Sequence, residues 1–193
     1  VSWLREYVVF DGPIEDLAAR LVFTSCEVDR IVTRGVPDDD GNLERYLVGR
    51  VLEAGKHPNA DRLQLCRVDV GEPEPRQIVC GAWNFGAGAT VAVALPGAVL
   101  PGGQLLERAK LRGETSDGMI LSERELELGA DHTGILVLAD GPAPGTSLAD
   151  VLPLSEVVLE IETGYNRPDL TSVYGIAREV AALTGTELAQ MPG

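Results

Sequence analysis

The pattern of apolar and polar positions divides the chain into three stretches. In residues 14–23 the apolar side chains fall at helical spacing after an Asp-Gly-Pro turn, which predicts a short amphipathic helix. Residues 27–32 mix Val and Ile with charged residues in a pattern that predicts a strand. The acidic run from Pro37 to Asn42 contains both Gly and Pro, so we expect a solvated linker there.

The middle stretch, from Tyr46 to about Asp140, predicts an all-β domain. Its apolar segments are short, and clusters of Gly, Pro, Asn or Asp separate them at the spacing of a small barrel or sandwich. One helix is also expected to begin at Ser122, because Ser122 and Glu125 have capping-box spacing and Gly129 offers a C-terminal stop. The predicted strands are 46–54, 63–70, 76–80, 90–95 and the segment 110–121.

The last stretch predicts a strand followed by a helix. Residues 157–161 have the apolar pattern of a strand, and Pro168 with Asp169 predicts the first turn of a helix that ends at Gly185. Each terminal stretch has about forty residues, too few to bury a stable core alone, so we expect the two to pack together. The predicted fold class is α+β, with a β-barrel at residues 41–150 inserted into a small discontinuous α+β domain made of residues 1–40 and 151–193.

Composition narrows the class of protein. No stretch approaches the roughly 18–20 apolar residues that span a bilayer, so no membrane partner is expected. Three cysteines without CxxC spacing suit a reducing cytoplasm, and we expect them to be small buried apolar residues. The N-terminus lacks the pattern of a secretory signal. Together these features predict a cytoplasmic protein.

The charge of the chain disfavours a general polyanion binder, including a DNA binder. The net charge is −14, whereas non-specific nucleic-acid affinity comes from Lys and Arg side chains that neutralise phosphates. The middle stretch is less acidic than the ends: residues 41–150 carry 10 basic and 15 acidic side chains, a net −5, and the remainder carries 6 and 15, a net −9. The middle stretch can therefore still carry a local basic face, although electrostatics alone would not suggest RNA.

No pattern in the sequence predicts catalysis or metal binding. His57, Cys66 and Cys80 stand alone, whereas zinc sites usually contain closely spaced pairs of ligands. The alternating acids at 123, 125 and 127 are typical of a solvated face. The P-loop, GxSxG and HExxH motifs do not occur. We therefore expect no catalytic residue, no metal ligand and no cofactor in this chain.

Three motifs in the middle stretch carry a family resemblance. They are HPNADRL at 57–63, IVCGAWN at 78–84 and KLRGETSDGM at 110–119. In order and spacing they resemble the signature of the tRNA-binding OB domain of phenylalanyl-tRNA synthetase β subunits, bacterial methionyl-tRNA synthetase tails and free-standing tRNA-binding proteins. The terminal segments SWLREYV at 2–8, NRPDL at 166–170 and GIARE at 175–179 resemble the synthetase β subunit specifically.

The resemblance implies a five-stranded OB-fold barrel at residues 41–150 and a chain that corresponds to the N-terminal part of the β subunit. The whole enzyme it implies is an (αβ)₂ ligase that uses ATP and magnesium to attach phenylalanine to its tRNA. In that family the aminoacylation site lies in the α subunit and the editing site lies further along the β chain. This fragment would supply auxiliary tRNA contact and scaffold, with phenylalanine-specific tRNA and the α subunit as partners.

Nine residues of these motifs and their flanks are candidates for tRNA contact. Basic side chains can neutralise phosphates, while amides and hydroxyls can bind sugar or base edges. The family uses the S-x-G-M turn in tRNA contact, and a methionine side chain offers an apolar surface to an unstacked base. The candidates are Lys56, Asn59, Arg62, Asn84, Lys110, Arg112, Ser116, Gly118 and Met119.

Several residues of these motifs also have a purely structural alternative. Asn59, Asp61, Gly81 and Gly113 suit turns, and Asn84 suits a local hydrogen bond. Trp83 stands where the family usually has Pro, and it either stacks on a base or caps the barrel. An alternative function for the whole chain is a free-standing module that binds structured RNA or a protein partner.

Overall fold

The computed structural model describes residues 1–130, 133–139 and 141–190. Asp140, where the sequence places the end of the middle stretch, lies outside these ranges. The chain forms two compact units: Val1–Thr33 with Glu156–Gly193, and Arg34–Ser155. No helix within the described ranges is long and apolar enough to cross a membrane.

The first unit combines helices with a two-stranded sheet. Its elements are α1 (Ser2–Arg5), α2 (Ile14–Thr24), β1 (Glu27–Gly35), β9 (Ser155–Glu162), a 3₁₀ turn at Pro168–Thr171 and α3 (Val173–Thr184). The helix predicted at residues 14–23 and both predicted strands are confirmed, and β1 and β9 pair with each other. The helical periodicity of α2 buries Leu17 and Leu21 against Ile176 and Val180 of α3 in one apolar core.

The start of α3 corrects the sequence prediction, which places it at Pro168. Pro168–Thr171 form a separate 3₁₀ turn, and Ser172 then has extended backbone angles, φ −117° and ψ 150°. The Ser172 hydroxyl accepts a hydrogen bond from the Gly175 N–H at 3.0 Å and so caps the new helix. The predicted end is confirmed, because Gly185 adopts the left-handed conformation that closes many helices.

The second unit contains seven strands and two 3₁₀ turns within the described residues. The strands are β2 (Tyr46–His57), β3 (Ala60–Asp69), β4 (Arg76–Cys80), β5 (Thr90–Ala94), β6 (Ala109–Leu111), β7 (Glu114–Ser116) and β8 (Met119–Ile120), and the 3₁₀ turns are at Asn42–Arg45 and Leu148–Asp150. Five of the strands form an antiparallel sheet with the order β4-β3-β2-β5-β8. A separate hairpin of β6 and β7 leads into β8.

The sheet curls so that its edge strand β4 meets the turn between β7 and β8. The Asp117 N–H donates to the Gln77 carbonyl at 2.8 Å, and the Val79 N–H donates to the Ser116 hydroxyl at 3.0 Å. These bonds satisfy backbone groups that an open edge would leave exposed. The result is a nearly closed five-stranded barrel of OB type, and the predicted α+β fold class is confirmed.

One local prediction in this unit is wrong. The capping box at Ser122 forms, with the Ser122 N–H donating to Glu125 Oε2 at 2.6 Å, but only one helical turn follows. Glu127 has a φ of +56°, which cannot continue a right-handed helix.

The acidic run predicted as a solvated linker is exposed from Asp38 to Gly41 and is anchored at its end. Asn42 is 5% exposed, and its amide donates to the carbonyls of Pro37 and Val99 at 2.8 and 2.9 Å.

The candidate nucleic-acid interface

Two hairpin tips of the barrel unit are tied together. His57, at the end of β2, lies between them with only 1% of its surface exposed. Its Nδ1 accepts a hydrogen bond from the Asn59 N–H at 3.0 Å, and its Nε2 donates to the Leu111 carbonyl at 3.1 Å. The Asn59 amide donates to the Arg112 carbonyl at 3.1 Å. The β2–β3 turn and the β6–β7 turn therefore form one continuous surface, which we call the joined tips (residues 56–62 and 110–114).

All four basic candidate residues lie in the joined tips. Lys56 and Arg62 flank the first turn, and Lys110 and Arg112 belong to the second. All four residues are exposed. Lys56 forms an ion pair with Asp61 at 2.6 Å, but both side chains are solvated, so this pair is weak and is readily exchanged for a phosphate.

The Arg112 backbone fixes the shape of the second turn. Arg112 has a φ of +51° and Gly113 a φ of +103°, so the two residues reverse the chain between β6 and β7. A left-handed backbone is uncommon for a residue with a side chain, and the hydrogen bond from Asn59 to the Arg112 carbonyl helps to hold it. Asn59 thus has a structural partner in addition to its candidate role.

Asn84 is not part of the joined tips, and its side chain pairs with a loop. Its Nδ2 donates to the Ile135 carbonyl at 2.9 Å, and its Oδ1 accepts from the Ile135 N–H at 3.0 Å. The amide thus bonds to both backbone groups of Ile135, as a residue of a neighbouring strand would. The two bonds fix the position of the loop that follows residue 133. The loop approaches so closely that a side chain on Gly134 would collide with the Asn84 amide.

The S-x-G-M turn is part of the barrel closure. Ser116 is 4% exposed, and its hydroxyl donates to the Gly118 carbonyl at 2.9 Å while accepting from Val79. Gly118 has a φ of +138°, and a Cβ there would lie 3.0 Å from the Ala94 carbonyl. Met119 is half-buried on β8 and lines a cavity of about 770 Å³ together with Cys80 and other residues. Of these three candidates, Met119 offers side-chain surface to a ligand.

Trp83 is held at the edge of the barrel by its neighbours. It is 54% exposed, and its indole N–H points to the Arg62 carbonyl at 3.4 Å. The bond places the ring beside the segment that begins β3.

Two other arginines are held by carboxylates. Arg76 donates to Glu72 at 2.7 Å and to Asp117 at 3.0 Å, and Arg108 donates to Asp117 at 2.8 Å. The hydrogen bond to Glu72 is the largest cause of the raised pKa of Arg76. The four cations of the joined tips lie outside this cluster.

His57 has a structural role that the sequence does not predict. From the sequence it is considered only as a metal ligand or nucleophile, and both roles are rejected, whereas the structure gives it the bonds that position both turns. The sequence does not predict that His57 is buried, because the residues that follow it have the composition of an exposed turn. The signal that could have found it is its place directly before Pro58 and Asn59, where a side chain can bond back to the turn.

The cysteines are poor metal ligands and nucleophiles in this environment. All three are buried and unpaired as disulfides. Burial raises the pKa of Cys66 to about 12 and also raises the pKa of Cys80 and Cys26. A thiol must lose its proton to ligate a metal or attack a substrate. Among the residues that the structure describes, no group of three or more His, Cys, Asp or Glu side chains is placed to hold a metal ion.

The chain is similar to named proteins along nearly its whole length. It is 47% identical over 188 residues to the phenylalanine–tRNA ligase beta subunit of Nitratidesulfovibrio vulgaris, covering 97% of this chain and 23% of that protein. Identity to the subunit of the same name is 44% over 188 residues in Anaeromyxobacter dehalogenans, with the same coverage. In Staphylococcus aureus it is 43% over 195 residues, with 98% and 24% covered. The β-subunit resemblance is confirmed, and the chain spans about a quarter of the length of these relatives.

Two solved structures match about half of the chain. The C-terminal domain of Plasmodium vivax p43 has a TM-score of 0.40 and 28% identity, covering 53% of this chain and 59% of that one. A MetRS related protein from Pyrococcus horikoshii has a TM-score of 0.39 and 21% identity, covering 52% and 84%. The family described as "Putative tRNA binding domain" matches residues 47–147, which is more than half of the chain and includes both joined tips. The chain therefore belongs to this family of tRNA-binding domains.

Proposed function

We propose that this chain is the N-terminal part of a β subunit of phenylalanine–tRNA ligase and that its barrel unit is an auxiliary tRNA-binding module. The observation that carries the proposal is the extent of the match: the relatives of that name align with 97% of the chain, including both terminal segments. A free-standing tRNA-binding module would account for the barrel alone. The terminal segments, 1–40 and 151–193, are scaffold in this proposal, and residues 41–150 are the tRNA-binding domain.

The joined tips are the part of the barrel that we assign to phosphate contact. Lys56, Arg62, Lys110 and Arg112 provide four positive charges on a surface whose backbone is fixed by His57. Positive side chains in loops on a rigid scaffold favour binding to a phosphate backbone with little loss of conformational freedom.

The remaining candidates act mainly by shaping the surface. Asn59, Asn84 and Ser116 already bond to backbone groups of the protein, so we assign them to holding loops in place. Gly118 allows the close turn, and Met119 supplies an apolar contact beside the cavity. We therefore expect these residues to affect tRNA binding indirectly, through the shape of the surface. Met119 is the exception, because its side chain can contact the RNA.

The whole enzyme that this proposal implies pairs the β subunit with an α subunit in an (αβ)₂ assembly. That ligase would attach phenylalanine to its tRNA with ATP and magnesium in the cytoplasm. In this proposal the catalytic residues and the sites for ATP and magnesium lie outside the chain, in keeping with the family resemblance. The chain contributes tRNA contact and scaffold.

The first test is a titration of the 193-residue chain with labelled phenylalanine tRNA at two salt concentrations. Because the net charge is −14 and few cations face the ligand, we expect a Kd of roughly micromolar or weaker. The slope of log K against log salt should be about −2 to −4, as for two to four phosphate contacts. Salt-insensitive nanomolar binding would contradict the proposed surface.

The second test concerns the host protein and is independent of binding. The reading frame of the gene should continue for several hundred codons beyond Gly193, as the length of the relatives implies. A stop codon directly after Gly193 would favour the free-standing module instead. The two tests separate the tRNA-binding role from the ligase assignment.

A further inference from the structure

Trp83 is an exposed aromatic side chain on an unusually well anchored loop. The residue before it, Ala82, accepts a hydrogen bond at 2.7 Å from the amide of Gln64, which is itself buried. The residue after it, Asn84, makes the pair of hydrogen bonds with Ile135. The backbone on both sides of the indole is therefore anchored to other parts of the barrel unit.

The indole itself is oriented by its own polar atom. A tryptophan side chain has a single hydrogen-bond donor, and here that donor points to the Arg62 carbonyl at 3.4 Å. This contact helps to orient the ring, while 54% of the residue remains in contact with solvent. A large apolar ring held in this way loses little conformational freedom when a flat ligand stacks on it.

We infer that Trp83 is a stacking platform for an unpaired nucleobase of the bound RNA, an inference that rests on the proposed tRNA-binding function. Aromatic side chains bind unstacked bases through their π-faces with little sequence preference. The chemistry beside the ring matches this ligand, because Arg62, whose backbone holds the indole, carries an exposed guanidinium for a neighbouring phosphate. The base must come from a single-stranded loop or end, since bases inside an RNA helix are already stacked.

The proposed base contact adjoins the proposed phosphate contact. Trp83 bonds to the backbone of Arg62, a residue of the joined tips on β3, and Asn84 beside it holds the loop at Ile135. The site therefore extends the proposed contact area from the joined tips toward that loop.

The chain offers a direct optical test because Trp3 and Trp83 are its two tryptophans. In a Trp3→Phe variant all tryptophan emission comes from Trp83. Titration with phenylalanine tRNA should quench this emission saturably, with the same midpoint as an independent binding measurement. A fully paired RNA duplex of equal length, which has no unstacked internal base, should quench it much less at equal occupancy.

The tRNA affinities of substituted chains distinguish stacking on the aromatic ring from a general effect of removing an apolar side chain. Trp83→Ala should weaken tRNA binding by about fivefold or more, whereas Trp83→Phe should stay within about threefold of the parent, because phenylalanine retains a π-face. Leu52→Ala removes another exposed apolar side chain of the same unit and should leave affinity unchanged. Thermal unfolding of each variant establishes that the barrel is intact.

The outcomes distinguish this inference from the function on which it rests. Salt-dependent binding of tRNA with no change in Trp83 emission and no loss in Trp83→Ala overturns the stacking site alone. Equal losses in the Phe and Ala variants also overturn it. The absence of any tRNA binding by the parent chain overturns both the stacking site and the tRNA-binding role.

Discussion

The Nε2 of His57 lies 3.1 Å from the carbonyl oxygen of Leu111, 54 residues further along the chain. The carbonyl can only accept, so the ring nitrogen donates, and Nδ1 on the other side of the ring accepts from the Asn59 N–H at 3.0 Å. One buried imidazole therefore fixes the geometry of both turns that carry the candidate cations.

Replacing His57 should destabilise the barrel unit and loosen these turns. The His57→Ala variant empties a buried position and leaves the Asn59 N–H and the Leu111 carbonyl without their partner, so we expect a loss of about 3 kcal/mol in the free energy of unfolding. Urea denaturation measures it. Lys56→Ala, next to it and exposed, is the matched control and should change stability by less than about 0.5 kcal/mol. Equal effects of the two variants would show that the imidazole does not hold the tips.

Two glycines of β2 should respond differently to the same substitution. A Cβ on Gly49 would lie 2.7 Å from Val93 Cγ2 and 2.8 Å from Val68 Cγ1, and both valines are fully buried. Gly49→Ala should therefore cost about 1–3 kcal/mol by overpacking. A Cβ on Gly55 meets nothing within 4 Å, so Gly55→Ala should stay within about 0.5 kcal/mol. Thermal unfolding of the pair tests the packing of the barrel, and a tolerated Gly49→Ala would contradict it.

The cations of the second turn should contribute to the salt dependence of tRNA binding. Substituting Lys110 and Arg112 together by Ala should weaken binding and reduce the magnitude of the log K versus log salt slope by up to about 2. The control replaces Arg34 and Arg67, two other exposed arginines, so that the change in net charge is the same. If both double variants lose the same affinity, the effect is one of overall charge, and the site lies elsewhere on the barrel.

The first unit should lose stability in acid through Glu179. Hydrogen bonds from Ser25 and Arg167 hold the pKa of Glu179 below its ordinary value, with the Arg167 bond at 2.7 Å. A carboxylate with a depressed native pKa stabilises the fold above its unfolded-state pKa of about 4.3, and that contribution is lost as the pH falls through the native value. Glu179→Gln should therefore be less stable than the parent at pH 7.

The difference between the Glu179→Gln variant and the parent should shrink as the pH falls below about 4, where the parent carboxylate also becomes neutral. Urea unfolding followed at neutral and acidic pH measures this convergence. Glu187→Gln, at an exposed position of the same unit, is the control and should follow the parent at every pH. A Glu179→Gln curve that stays parallel to the parent would refute the linkage.

The three thiols should be inert in the native chain. Burial raises the pKa of Cys66 to about 12 and raises the pKa of Cys80 and Cys26 as well, and the thiolate is the reactive form. At pH 8 a disulfide reagent should modify them slowly in buffer and modify all three rapidly in guanidinium chloride. Rapid labelling without denaturant would contradict this expectation, and the identity of the labelled cysteine would show whether the first unit, around Cys26, or the barrel, around Cys66 and Cys80, opens.

The sequence by itself determined the helices and strands that are encoded by the apolar periodicity of a single segment. The periodicity of residues 14–23 yields α2, and the apolar segments of the middle stretch yield the strands of the barrel, because burial of one face imposes a period that each segment carries alone. The three motifs likewise carry the family resemblance in their residue order alone. The helix expected at Ser122 failed, although its capping box formed, because one left-handed residue at Glu127 ended it.

The tertiary structure decided which candidate side chains are exposed to solvent and which are bonded to other segments of the protein. Ser116, Asn84 and Asn59 have the same polar chemistry in the sequence as any surface contact, but each bonds to a backbone group of another segment. Those partners lie 37 to 53 residues away along the chain, so no local pattern encodes them. Hydrogen-bond pairing across such separations depends on how the barrel closes, and only the closed barrel brings the two turns to the same imidazole.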